Sequence, residues 1–156
     1  YNAEDNKSAD ITLDFADAGL PSGTRCAVYD FWENRLLGYA TDSFTGKNIP
    51  PNGSLLLRFT PLAGNYPQVV GSNLHLSIGA TEIQEVYTTS KSIKLLLSDA
   101  GAQTGDLIFH STKNLEAGLT ENCSIKSVTN LGDNLWKISV SGRIWNSPQS
   151  ITLHIK

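Results

Sequence analysis

The sequence predicts an all-β fold, an antiparallel β-sandwich of Greek-key type, and three observations carry that prediction. Apolar residues recur at every second position in several runs, which sets one strand face on a core and the other toward solvent. Turn-forming residues break those runs at short spacing. No stretch reads as a helix of ordinary length.

Taken in order, Glu4-Asp5-Asn6-Lys7-Ser8 is a polar opening loop. Ile11, Leu13 and Phe15 then alternate with Thr12 and Asp14. Pro21-Ser22-Gly23 turns the chain into a strand that ends at Phe31 and Trp32. Pro50-Pro51-Asn52-Gly53 makes the next strong turn, ahead of Leu55, Leu57 and Phe59 on one strand face. Thr60 to Pro67 holds two prolines and a glycine, which interrupt strand pairing and suit a connector.

Ile93 to Leu97 and Ser124 to Val128 are mixed in pattern but rich in β-formers. Asp99-Ala100-Gly101, Thr104-Gly105-Asp106 and Gly132-Asp133-Asn134 mark further turns. Ser111 to Gly118 has room for one helical turn and no more. Trp136, Ile138 and Val140 define one late strand, and Ile151, Leu153 and Ile155 the last. The pattern amounts to about ten or eleven short strands, the spacing of a sandwich.

The expected organisation is a first β half over residues 1–60, a connector over 61–71 and a second antiparallel half over 72–156. The two halves are expected to pack as one unit, since fewer than about 70 residues make a marginal core alone. The alternative is two sub-sandwiches sharing a seam near residues 60–67.

Composition narrows the function classes. The 156 residues carry a formal charge of −3 with no Lys/Arg cluster, a poor match to a phosphate backbone, so no nucleic-acid partner is expected. At 40% hydrophobic and 17% charged residues, the chain is too apolar for disorder. No apolar run approaches the roughly 18 residues that span a bilayer, so no membrane partner is expected. A (β/α)₈ barrel needs about 250 residues and does not fit. The chain has no methionine, which points to a processed product or a piece of something longer. Cys26 and Cys123 lie in no metal-knuckle spacing, and two separate buried thiols are the favoured reading over a disulfide.

Candidate chemistry is sparse, and no catalytic residue is expected. There is no Gly-x-Ser-x-Gly elbow, and His75, His110 and His154 read as surface or edge histidines. The pairs Asp30/Glu33 and Glu82/Glu85 read as solvated charge, with a turn-capping role open to Asp30. No glycine-rich phosphate loop is present, and no cofactor is expected. Asp99, Asp106 and Asp133 sit in turns, where Asx hydrogen bonding explains them without calcium, so no metal site is expected. Three sequons begin at Asn6, Asn52 and Asn122, a number expected by chance.

Aromatic residues offer the raw material for stacking on sugar rings. Trp136 shares a face with Ile138 and Val140 and belongs to the core. Trp145, beside Asn146-Ser147-Pro148, sits at a strand–loop edge and, with Tyr66, is the candidate for carbohydrate binding. Phe31 and Trp32 are the candidates for a domain-packing edge.

The stretch from Tyr1 to Pro61 resembles the C-terminal β-sandwich domain of α-galactosidase-like glycoside hydrolases, the melibiase type. The residues that carry the resemblance are Tyr1-Asn2, Ile11-Thr12-Leu13-Asp14-Phe15, Gly19-Leu20, Val28-Tyr29-Asp30-Phe31-Trp32-Glu33 with Gly38, and Pro51-Asn52-Gly53-Ser54 before Leu55 to Phe59. Phe31 stands where the family usually has Leu, and Asn52 where it has His. Gly71 to Gly79 is similar to an extension found after that domain in some of these enzymes.

The resemblance implies a non-catalytic accessory domain in a secreted or periplasmic enzyme. It implies as partner an upstream catalytic (β/α)₈ domain of the same parent chain, which carries both acting carboxylates. Two alternatives stand beside it: a carbohydrate-binding module using exposed aromatics, and an immunoglobulin-like surface interaction module.

Overall fold

The computed structural model describes all residues, 1–156. Thirteen strands and no helix make up the chain, which is the expected all-β class. The strands fall into two compact units, Tyr1–Leu62 and Ala63–Lys156.

The first unit holds β1 (Ala9–Asp14), β2 (Arg25–Asp30), β3 (Arg35–Thr41), β4 (Ser43–Ile49) and β5 (Leu57–Pro61). β1 pairs antiparallel with β4, and β2 lies between β3 and β5 in a second antiparallel sheet. The expected alternation appears in β1, where Ile11 and Leu13 are half-buried and Thr12 and Asp14 exposed. On β2 it does not: Cys26, Ala27, Val28 and Tyr29 are all fully buried, as befits a central strand covered on both faces. Phe59 of β5 meets Phe15 and Phe44 edge-to-face at centroid separations of 5.3 and 5.8 Å. Those rings tie the two sheets together.

The second unit holds β6 (Gln68–Ser72), β7 (Ile83–Thr88), β8 (Ser92–Leu97), β9 (Gly105–His110), β10 (Leu115–Glu121), β11 (Ser124–Gly132), β12 (Leu135–Ser141) and β13 (Gln149–Ile155). Two four-stranded antiparallel sheets form, in the orders β11-β12-β9-β6 and β10-β13-β8-β7. Ile93, Leu95, Leu107, Ile138, Val140, Ile151 and Leu153 are fully buried in one apolar cluster drawn from both sheets. Trp136 joins them, as its alternation on β12 required.

Three details differ from expectation. Ser111 to Gly118 forms no helical turn; Leu115, Glu116 and Ala117 pair with Ile155, His154 and Leu153 of β13. β6 occupies Gln68–Ser72 and so overlaps the end of the stretch 61–71 read as connector. The strand total exceeds ten or eleven, because strands such as β4 and β10 carry glycines and exposed residues on both faces and show no clean alternation.

Candidate functional site

The first unit leaves its sandwich open on one side. A cleft of about 310 Å³ runs between the β1–β4 sheet and the segment leading into β5, lined by Ile11, Leu13, Phe44, Ile49, Leu55 and Phe59 among others. Its lining follows directly from alternation, since these are the inward positions of β1 and β4 together with the Leu55–Phe59 run. Gly46 keeps its floor low: a Cβ there would come within 2.8 Å of Leu55 Cδ1. The lining carries no ionisable group other than the Tyr1 phenol and amino terminus, so the cleft suits an apolar partner and no acid–base chemistry.

Phe31 and Trp32 sit in the turn between β2 and β3. Asp30 fixes that turn: its Oδ1 accepts hydrogen bonds from the Trp32 and Glu33 amides at 2.9 and 3.3 Å. Asp30 is only 3% exposed and performs the capping role rather than standing as solvated charge. The geometry presents Trp32 outward at 61% exposure, with Phe31 against it edge-on at 5.1 Å. The two aromatics proposed for a packing edge are therefore brought together.

In the second unit, Trp145 is 47% and Tyr66 57% exposed. Trp145 shares a tight crevice with Asp99, Ala102, Arg143 and Gln149 that leaves no room for a ligand, and Tyr66 is not part of it. What fills that region is Arg143, a buried cation. Its Nε donates to Gln149 Oε1 at 2.7 Å and its Nη1 to the carbonyls of Ala100 and Ala102 at 3.0 and 2.8 Å. Nη2 donates to the Ser98 carbonyl. Burial pulls the guanidinium below its ordinary value, though an arginine so held stays charged. Asp99 accepts from the Asn146 amide and Gln149 Nε2, and Asp106 from the Ser139 hydroxyl.

Glu82 corrects the reading of solvated charge, because its side chain is completely buried. Ser77 Oγ and the Gly79 amide donate to its two oxygens at 2.6 Å each. Burial acts to raise the carboxyl, yet the hydrogen bonds from Ser77, Ser72 and backbone amides outweigh it and hold the group below the ordinary glutamate value. His75, Ser77 and Glu82 share residue types with a hydrolytic triad but are wired differently. The Ser77 proton goes to Glu82, and His75 Nδ1 accepts from the Ser77 amide at 3.1 Å. The Ser77 oxygen also accepts from the Thr81 amide and hydroxyl, so it is no free nucleophile. No sequence signal marks Glu82 or Arg143 as buried; each looks like any loop-borne charge.

His154 faces outward from β13 as its alternation indicated. Cys26 and Cys123 are both free thiols, the first buried and the second half-buried, and burial raises both. No three His, Cys, Asp or Glu side chains converge where they could hold a metal ion.

No curated protein and no solved structure gives a significant match to the chain. The first unit does have a relative in sequence space. Residues 1–59, nearly all of that unit, match the family model of the alpha galactosidase C-terminal beta sandwich domain.

Proposed function

We propose that the chain is a non-catalytic accessory β-sandwich region of a larger, secreted or periplasmic α-galactosidase-like glycoside hydrolase, which packs against the enzyme's catalytic barrel and stabilises it. The observation that carries this reading is the match of residues 1–59 to a domain that, by its description, ends such enzymes. The chemistry of the first unit supports it. Its open cleft is lined by aliphatic and aromatic side chains, and Trp32 stands out at the β2–β3 turn with Phe31 behind it. Exposed apolar surface of this kind is what an interdomain contact covers.

The test starts from the codons preceding Tyr1, which should encode about 250 residues or more of alternating strand and helix pattern. The barrel so encoded, mixed with this chain, should slow amide exchange around Phe31, Trp32 and Leu55. Full exchange at those residues in the presence of the barrel, or an upstream sequence without that pattern, would reject the reading.

A further inference from the structure

One strand at the edge of the second unit is bare. β7 pairs with β8 alone, so its other edge has no strand beside it. From Gln84 to Thr88 every residue is exposed, on both faces of the strand. Val86 is 48% exposed although it lies opposite the buried Leu95, on the side of the sheet that holds the core. The apolar interior therefore stops at β7 with an open flank. An edge of this kind accepts another strand unless charge, proline, irregularity or burial prevents it. The unit's other edges are guarded in those ways. β10 carries Glu116 and Glu121 and shifts register midway, and β11 carries Lys126 and shifts register more than once. The residues of β6 after Gln68 are buried. On β7 the devices are slight: an irregularity at its start and the charge of Glu85.

The ladder fixes which backbone groups face outward. The Thr89 amide donates to the Ser92 carbonyl at 2.8 Å and closes the β7–β8 hairpin. Hydrogen-bonded and non-hydrogen-bonded pairs alternate from there, so Tyr87 and Glu85 turn their amides and carbonyls toward Lys94 and Leu96. Val86 and Thr88, in between, turn theirs to the free edge.

The sequence of that edge suits its own copy. Placed antiparallel about a two-fold axis, Val86 meets the second copy's Val86, and the two exchange both backbone hydrogen bonds. Glu85 then falls opposite Tyr87, and Gln84 opposite Thr88. Within one chain the Tyr87 hydroxyl already donates to the Glu85 carboxylate, so the pair is chemically matched across the axis as well. Moving the axis to Glu85 sets two carboxylates face to face, which is destabilising. Moving it to Tyr87 leaves Gln84 opposite the hairpin loop. We infer that a second copy of this chain pairs with β7 antiparallel about Val86, joining two four-stranded sheets into one continuous sheet. The two Val86 side chains then close the open flank of both cores. An unrelated strand would find the same backbone groups but not the match of Glu85 with Tyr87. The inference is independent of the packing role of the first unit.

Pairing through a single strand covers less than the roughly 1,000 Å² of a lasting interface, so the dimer is reversible, with a dissociation constant on the order of 100 µM. Sedimentation equilibrium of the 156-residue chain should show monomer giving way to dimer as its concentration rises. Val86→Pro removes an outward amide without touching the β7–β8 ladder, and Val86→Lys sets like charges together on the axis. Each should raise the dissociation constant about tenfold or more, with thermal midpoints reporting folding separately. Leu119→Lys, on the β10 edge, should dimerise as the parent does. Register is tested by mild oxidation of an equal mixture of Glu85→Cys and Tyr87→Cys, since these positions form the close, non-hydrogen-bonded pair. The mixture should cross-link to a dimer, and neither variant alone should do so beyond the parent. A chain still monomeric at about tenfold the expected dissociation constant would overturn the inference, whether β7 is left bare or is covered by the parent enzyme's barrel. So would a dimer indifferent to both Val86 substitutions, one lost on Leu119→Lys, or cross-linking by Glu85→Cys alone.

Discussion

Asn2 shows how much one small polar side chain can hold. Its Nδ2 donates to the carbonyls of Ile49, Pro50 and Lys7 at 2.9, 3.1 and 3.0 Å, while its Oδ1 accepts from the Glu4 amide at 3.1 Å. The residue is 2% exposed and fastens the leading segment to the end of β4. Asn2→Ala should lower stability by about 2 kcal/mol, the cost of leaving buried carbonyls unpaired, seen as a lower urea midpoint. Glu82 makes a pH-dependent contribution of definite sign. Its folded carboxyl lies below the ordinary value, so its stabilisation is fully present above the unfolded value of about 4.3 and is lost as pH falls through the folded one. Urea midpoints of the parent and Glu82→Gln should therefore differ most near neutrality and converge in acid. A gap that stays constant with pH would show that the carboxylate is not the source.

Elements are held at their ends by turn chemistry as firmly as along their ladders. The Pro50–Gly53 turn closes through the Gly53 amide on the Pro50 carbonyl at 2.9 Å, with Asn52 at φ 54° where a type II turn needs a left-handed residue. Gly101 is under a stricter demand. It takes φ 89°, and a Cβ there would lie 2.2 Å from the Leu74 carbonyl oxygen, backbone that cannot step aside. Gly101→Ala should cost roughly 3 kcal/mol or more through strain and overpacking together, measured as a fall in thermal midpoint. A neutral substitution would mean that the Leu74–Gly101 approach is looser than the geometry shows. Ser111 to Gly118 illustrates the limit of local reading at this scale. Leu115, Glu116 and Ala117 are good helix formers, but pairing with β13 and burial of Leu115 override a preference of a few tenths of a kcal/mol per residue.

Across the whole molecule, four carboxylates are committed to structural hydrogen bonds. Asp30 caps a turn, Glu82 is fully satisfied by its loop, and Asp99 and Asp106 accept hydrogen bonds from neighbouring side chains. The purified chain should hydrolyse no nitrophenyl galactoside; turnover above the uncatalysed rate that tracks with the protein through purification would refute this. The first unit presents an open cleft lined by aliphatic and aromatic side chains.

Much of this was legible in the linear chain. Alternation at Ile11–Leu13, Trp136–Val140 and Ile151–Leu153 determined the all-β class and the core faces, because a strand's two-residue period assigns each side chain to a face without reference to its neighbours. Turn chemistry left the Asp30 cap open as one of two readings, and short motifs carried the family resemblance of the first unit. Tertiary structure alone decided the rest. Whether Glu82 and Arg143 sit in water or in the core depends on which loops close over them. The apolar cleft exists only because the β1–β4 sheet and the Leu55–Phe59 run, separated along the chain, meet on one side of the first unit. Such meetings are set by strand order, and period-two patterning carries no information about which strand lies next to which.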